Sequence, residues 1–334
     1  MKEERAQASV PRRVTFAAAD GRPITGFVWQ AGCAARPVVV VNPATSVRCR
    51  YYFRFAEYLF AHGRDVLLYD YRGIGESRPA TFAGFDANWI DWGALDFEGA
   101  LRFAASSFPG QVIDVVAHSI GGCLLGLAPS NVTIRRAVTM GAQYAYWRDY
   151  ARKHRLAMLL KWHVAMPALA AVFGYVPAQR LGWMEDTPRG VARSWAYSRA
   201  RFEQTYRARP FALSDERVAE LARRFTGVRA PLLAISTTDD PFGTVPAIER
   251  LLAYFEGCEA RVHLRLEPGA FDADAIGHFA FFHSRFQTRL WPIVLQWLET
   301  ASLAPATPGE RVSERRGTSE HETHADRAVD SSLA

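Results

Sequence analysis

Val115-Val116-Ala117-His118-Ser119-Ile120-Gly121-Gly122 is the stretch on which the reading of this chain turns. The β-branched run Val112 to His118 reads as a buried strand, and the small-residue run Ile120 to Leu127 reads as a helix. Ser119 stands between them, at a strand-to-helix turn, in the pattern of a nucleophile elbow with Ala117 in place of the first glycine of G-x-S-x-G. The turn is tight, so the residues two before and two after the serine lie against neighbouring backbone and must be small, as Ala117 and Gly121 are. The helix start also presents unbonded backbone N–H groups beside the serine, placed to accept a developing negative charge. Alone, the same octet also fits an ordinary turn with a capping serine, so the rest of the chain decides.

Outward from this stretch, short strands and helices alternate. Val14 to Phe16 and Ile24 to Gln30 read as strands around the turn Asp20-Gly21, followed by strands Pro37 to Asn42 and Asp65 to Tyr71 with the helix Tyr51 to His62 between them. A helix, Trp92 to Phe108, precedes the central strand, and a strand, Ile134 to Met140, follows the small-residue helix. Strand Pro231 to Ser236, helix Val245 to Phe255, strand Arg261 to Leu266 and a long helix, Phe279 to Leu298, complete the series. Such alternation implies a mostly parallel sheet covered by helices on both faces. The series is interrupted from residue 143 to 211 by an aromatic, basic, helical segment with no convincing strand. The expected organisation is a loose arm over 1–11, an α/β core over 12–142 and 212–303, a helical insertion over 143–211, and a disordered tail over 304–334 rich in Pro, Thr, Ser, Glu and Arg.

Serine chemistry at an elbow needs a base and an acid later in the chain, in the order Ser, Asp, His. The strand Pro231 to Ser236 runs into Thr237-Thr238-Asp239-Asp240-Pro241, so a carboxylate of this pair sits just past a strand end. His278 lies in the loop Phe271 to Phe279, ahead of the final helix, where a general base belongs; His283, five residues on, is the weaker candidate. His118 adjoins the serine, but its side chain should point away, as a packing residue. The oxyanion site needs a second N–H from the loop after Pro37 to Asn42. Pro43 has none, which makes Ala44 the nearest donor, paired with Ile120 beyond the serine.

Together these pieces resemble the α/β-hydrolase superfamily, in its bacterial serine-hydrolase, serine aminopeptidase-like branch. The resemblance spans about residues 14 to 300 and rests on Asn42-Pro43-Ala44-Thr45, Asp70-Tyr71-Arg72-Gly73-Ile74-Gly75-Glu76-Ser77, Ala117 to Gly122, Asp239-Asp240-Pro241 and Gly277-His278-Phe279. It implies an α/β-hydrolase fold with a helical cap at 143–211. It also implies Ser119 as nucleophile, His278 as base and Asp240 as the acid that orients it, with Asp239 as the alternative acid. The backbone N–H groups of Ala44 and Ile120 would form the oxyanion hole. The implied enzyme is a cofactor-free, metal-free serine hydrolase acting on a carboxylic ester, thioester or amide through an acyl-enzyme. Relatives that open epoxides or remove halogens use Asp at the elbow, so Ser119 points away from them. An acyltransferase with the same triad, and a non-catalytic scaffold whose basic cap binds a partner, are the alternatives.

Composition narrows the partners. The chain has 334 residues, 49% hydrophobic and 22% charged, which suits a folded protein with a large core and not a disordered one. Only three of its 40 basic residues are lysines: Lys2, Lys153 and Lys161. The net charge is +6, yet residues 143–211 carry twelve cationic side chains against four acidic ones. With Trp147, Trp162, Trp183 and Trp195 in that segment, the expected substrate is a small acyl compound, apolar where it meets the cap. The charge suggests anionic substrates or peripheral contact with an anionic surface such as lipid headgroups; a solvated arginine-rich face is the alternative. No nucleic-acid motif accompanies the charge. The most apolar stretch, Leu156 to Val176, is broken by Lys161, His163 and Pro167, so no transmembrane segment is expected. His321 and His324 form a weak metal-like cluster in the tail. Four dispersed cysteines (Cys33, Cys49, Cys123, Cys258) and the apparent lack of a secretory signal imply reduced thiols and a cytoplasmic location.

Overall fold

The computed structural model describes residues 10–316. Nine strands form one sheet in the order β1-β2-β4-β3-β5-β6-β9-β10-β11. They are β1 Arg12–Ala17, β2 Pro23–Trp29, β3 Val38–Asn42, β4 Asp65–Tyr69, β5 Ile113–His118, β6 Ile134–Met140, β9 Leu232–Thr237, β10 Ala260–Leu266 and β11 Glu310–Arg316. A separate pair, β7 Tyr175–Val176 and β8 Thr187–Pro188, lies between β6 and β9. From β4 to β10 all neighbours run parallel, while β1, β2 and β11 pair antiparallel at the two edges. This is the α/β-hydrolase fold.

The central strands bury both faces, which is why they read as continuous apolar runs rather than alternating ones. Side chains of a strand point alternately to opposite faces, so one run of valines feeds two cores. Val38 and Val40 of β3 pack with Leu67, Trp92, Leu101 and Leu124 on one side of the sheet. Val39 and Val41 pack with Phe55, Leu59, Trp291 and Leu298 on the other.

Three expectations are corrected. The helix expected over Phe279 to Leu298 is instead two short turns, Ala280–Phe282 and Ser284–Phe286, followed by a helix at Trp291–Thr300. Pro292 occupies its first turn, where a missing N–H costs nothing. The insertion is not strand-free, because β7 and β8 pair within it. The expected disordered tail begins with β11, which extends the sheet on β10. Residues 1–9 of the expected arm and 317–334 of the tail, with His321 and His324, lie outside the described residues.

Candidate active site

β3, β5, β6 and β9 end at the same edge of the sheet, with Asn42 paired to Ala117 and Ala117 to Thr139. Loops leaving the carboxyl ends of parallel strands are where this architecture gathers functional groups. Ser119 stands at the end of β5 with φ 55° and ψ −124°, a left-handed conformation that costs an ordinary residue on the order of 1–3 kcal/mol. Close packing enforces it: a Cβ on Gly121 would lie 2.6 Å from the Asn42 carbonyl oxygen, and one on Gly122 would lie 2.4 Å from the Ala142 Cβ. Only glycine lets the helix Ile120–Leu124 start this close to β3 and β6.

His278 and Asp240 meet in a buried pair, with Nδ1 and Oδ2 2.7 Å apart. The other Asp240 oxygen accepts the Phe242 N–H at 2.7 Å. Asp239 does different work. Its Oδ2 accepts the N–H groups of Ile276 and Gly277, both at 2.9 Å, and so holds the loop that carries His278. Gly141 leaves room for the pair, because a Cβ there would stand 2.9 Å from Asp240 Oδ2 and 3.0 Å from the His278 ring. Ser119 and His278 line one cavity of 760 Å³. No hydrogen bond joins their side chains among the described residues. His283 lies apart, in ring contact with Tyr51.

His118 does more than fill space. It is fully buried, with Nε2 2.7 Å from the His278 carbonyl oxygen and Nδ1 2.7 Å from the Tyr52 hydroxyl. A carbonyl only accepts, so Nε2 carries the proton and Nδ1 accepts from Tyr52. The Tyr52 oxygen in turn accepts the Ala44 N–H at 3.0 Å. Burial pushes the His118 pKa down to about 3, so this chain of bonds holds a neutral imidazole. The chain also corrects the expected oxyanion donors. Ala44 spends its N–H on Tyr52 and has none left to aim at a substrate. The N–H groups of Ile120, at the helix start, and Thr45, in the cavity wall, have no acceptor among the described residues.

The cavity roof is aromatic. Trp162 stacks on Trp195 with ring centres 4.8 Å apart, and Trp183 and Phe242 meet Trp162 at angles. The Lys161 ammonium lies 4.3 Å from the Trp162 ring centre and 4.6 Å from that of Trp183, at the same wall. Partial burial holds its pKa below the ordinary lysine value. The loop 70–77 is a fixed support. Asp70 accepts the N–H groups of Cys49 and Glu76, and Arg72 is clamped between Asp20 and Asp96. No group of three or more metal-binding side chains occurs among the described residues. All four cysteines are free thiols, three of them buried.

The sequence pattern of the family described as serine aminopeptidase, S33, matches residues 34–269. Several solved structures share the fold at low identity. A soluble variant of monoglyceride lipase from Saccharomyces cerevisiae, in complex with a substrate analogue, aligns with a TM-score of 0.62 at 14% identity, over 90% of this chain and 98% of that one. An esterase from Pyrococcus furiosus aligns at 0.53 and 15%, over 86% of this chain and 91% of that one. A puromycin-hydrolysing peptidase from Mycobacterium tuberculosis aligns at 0.55 and 14%, over 92% of this chain but 42% of that one. No curated protein matches the chain by sequence.

Proposed function

The chain belongs to the serine aminopeptidase S33 family of α/β hydrolases, and from that premise we propose that it hydrolyses a carboxylic ester with an apolar acyl group by way of a Ser119 acyl-enzyme. The observation that carries the proposal is the buried His278–Asp240 pair, opening on the same cavity as a serine held at positive φ. Asp240 fixes the proton on His278 Nδ1 and leaves Nε2 to take the Ser119 proton as Oγ attacks the carbonyl. The N–H groups of Ile120 and Thr45 receive the oxyanion. His278 then gives the proton to the departing alcohol. Water attacks the acyl-enzyme with His278 accepting its proton, and His278 then returns that proton to Ser119 Oγ as the acid leaves. No step in this sequence needs a metal or cofactor. The aromatic roof of Trp162, Trp183 and Trp195 favours an apolar acyl chain over a peptide, whose polar backbone would go unpaired against it.

The test is intact-mass labelling with a fluorophosphonate, followed by a panel of p-nitrophenyl esters. One adduct on the wild type and none on Ser119→Ala is expected, with ester hydrolysis lost in the same variant. Asp240→Asn should keep the fold and lose about 10⁴ in kcat. An unlabelled wild type that is folded, or equal labelling of both proteins, would overturn the assignment. Competing alcohols in the same assay would divert product to new esters if acyl transfer were the true reaction.

A further inference from the structure

Among the described residues one helix has the length and composition to cross a membrane: the cap helix Arg155–Phe173, of 19 residues, with a mean hydropathy of 1.6 over its most apolar window. Only 22% of its most apolar window is buried. Its inner face is committed to the protein. Met158, Trp162, Met166 and Ala170, spaced by four, are buried, and Lys161 and Trp162 form part of the catalytic cavity wall. Its outer face should be polar if it met only water. Instead Leu156, Leu160, Val164 and Val172 are between 55% and 76% exposed there, and Phe173 is 53% exposed at the helix end. These are five of the eleven large apolar side chains exposed among the described residues, gathered on one helix. Clustered apolar exposure of this kind marks an interaction surface.

Charge identifies the partner. Arg148, Arg152, Lys153 and Arg155 gather just before and at the helix start, and none pairs with a carboxylate among the described residues. An apolar helical face with a cationic margin matches an anionic bilayer surface, where acyl chains lie beneath phosphates. A second copy of this helix fits less well, since it has no carboxylate from 155 to 173 to meet these cations. The inner face rules out a spanning role, since leaving the domain would break the Trp162–Trp195 stack and open the cavity.

We propose that the outer face of the cap helix docks in the plane of an anionic lipid bilayer, with Leu156, Leu160, Val164 and Val172 entering the acyl boundary and the Arg148–Arg155 cations meeting lipid phosphates. Docking would set the catalytic cavity one helix thickness from the lipid. It does not depend on Ser119 chemistry.

The test is flotation of the full chain with phosphatidylcholine vesicles, with and without phosphatidylglycerol. Binding to the anionic vesicles is expected, weaker by about tenfold or more with phosphatidylcholine alone or at high salt. Leu160→Glu/Val164→Glu and, separately, Arg152→Glu/Lys153→Glu should each weaken binding by about tenfold while melting temperature and fluorophosphonate labelling stay unchanged. Ser119→Ala should bind like the wild type, so that failure of the catalytic proposal and failure of docking are separable. No binding to anionic vesicles, or binding indifferent to both double variants, would overturn the proposal. So would a stable dimer in sedimentation velocity that the Leu160→Glu/Val164→Glu change dissociates.

Discussion

His118 makes the folded protein sensitive to acid. Its pKa is about 3 when folded and about 6.5 in an unfolded chain. Between those values the unfolded state binds a proton that the folded state refuses, so stability is full above pH 6.5 and is lost as pH falls. The expected contribution is about 1.4 kcal/mol per pH unit across that window, and half-buried His163 and buried His263, whose pKa values are also lowered by desolvation, act in the same direction. Urea unfolding at pH 7, 6 and 5 checks this: His118→Gln should flatten the pH slope by about one proton, and an unchanged slope would show that His118 is not the group responsible. The candidate site was unevenly legible from sequence. Ser119 and the Asp239-Asp240 pair announce themselves by residue type at strand ends, and His278 by its loop after β10. The network through Tyr52 and His118 does not, because Tyr52 stands in an aromatic stretch whose spacing says only that it is buried. The oxyanion donor was misplaced for the same reason: that Ala44 has an N–H is visible in the sequence, but that a tyrosine eight residues on accepts its hydrogen bond is not.

β11 shows what periodicity leaves out at the scale of an element. Glu-Arg-Val-Ser-Glu-Arg-Arg offers one apolar residue, Val312, so no hydrophobic pattern marks it as a strand. It forms because β10 would otherwise present an open edge of backbone donors and acceptors. Its Ser313 hydroxyl also donates to Glu249, at 2.7 Å, on the carboxylate that meets His263 of β10. Ending the chain after Pro308 should therefore lower the melting temperature by about 2–4 °C for each kcal/mol lost and promote self-association through the exposed edge. Scanning calorimetry with sedimentation velocity tests it; unchanged melting and a monomer would make β11 dispensable. The Phe279–Leu298 region differs, because its signal was present and outweighed. Pro292 fits a helix start and not a helix interior, which speaks against one helix from Phe279 to Leu298. Packing of Phe282 against Tyr52, Phe55 and His118 turns the chain there instead. The parallel core strands were the easiest elements to find, since burial on both faces leaves an unbroken apolar run that little else produces.

Charge is arranged on the scale of the whole molecule. The four acidic side chains of residues 143–211 all turn to partners outside that segment. Asp149 pairs with Arg250 at 2.5 Å, Glu185 with Arg48 at 2.7 Å and Asp186 with Arg78 at 2.8 Å, while Glu203 accepts the Tyr254 hydroxyl at 2.7 Å. Through its own carboxylates the segment thus makes three ion pairs with the rest of the chain. Of its twelve cations only Arg189 and Arg207 have a carboxylate partner among the described residues. The segment therefore carries uncompensated positive charge, and Lys161, with Arg48 and Arg50 from the loop after β3, brings positive charge to the cavity wall. Such a field raises the local concentration of anions and hence their capture rate, without changing the chemistry of the acyl carbonyl. It is screened over about 10 Å at 0.1 M salt. A p-nitrophenyl half-ester of a dicarboxylic acid and its neutral, methyl-capped counterpart present the same carbonyl with and without a distal anion. Raising salt from about 20 to about 300 mM should lower kcat/KM of the half-ester by about tenfold, leave that of the neutral ester nearly unchanged, and leave kcat of both unaffected. Equal responses would mean that the cap arginines are only a solvated face. A half-ester that is lost in kcat as well would place the anion at the reacting centre instead, and Lys161→Met would then remove the discrimination.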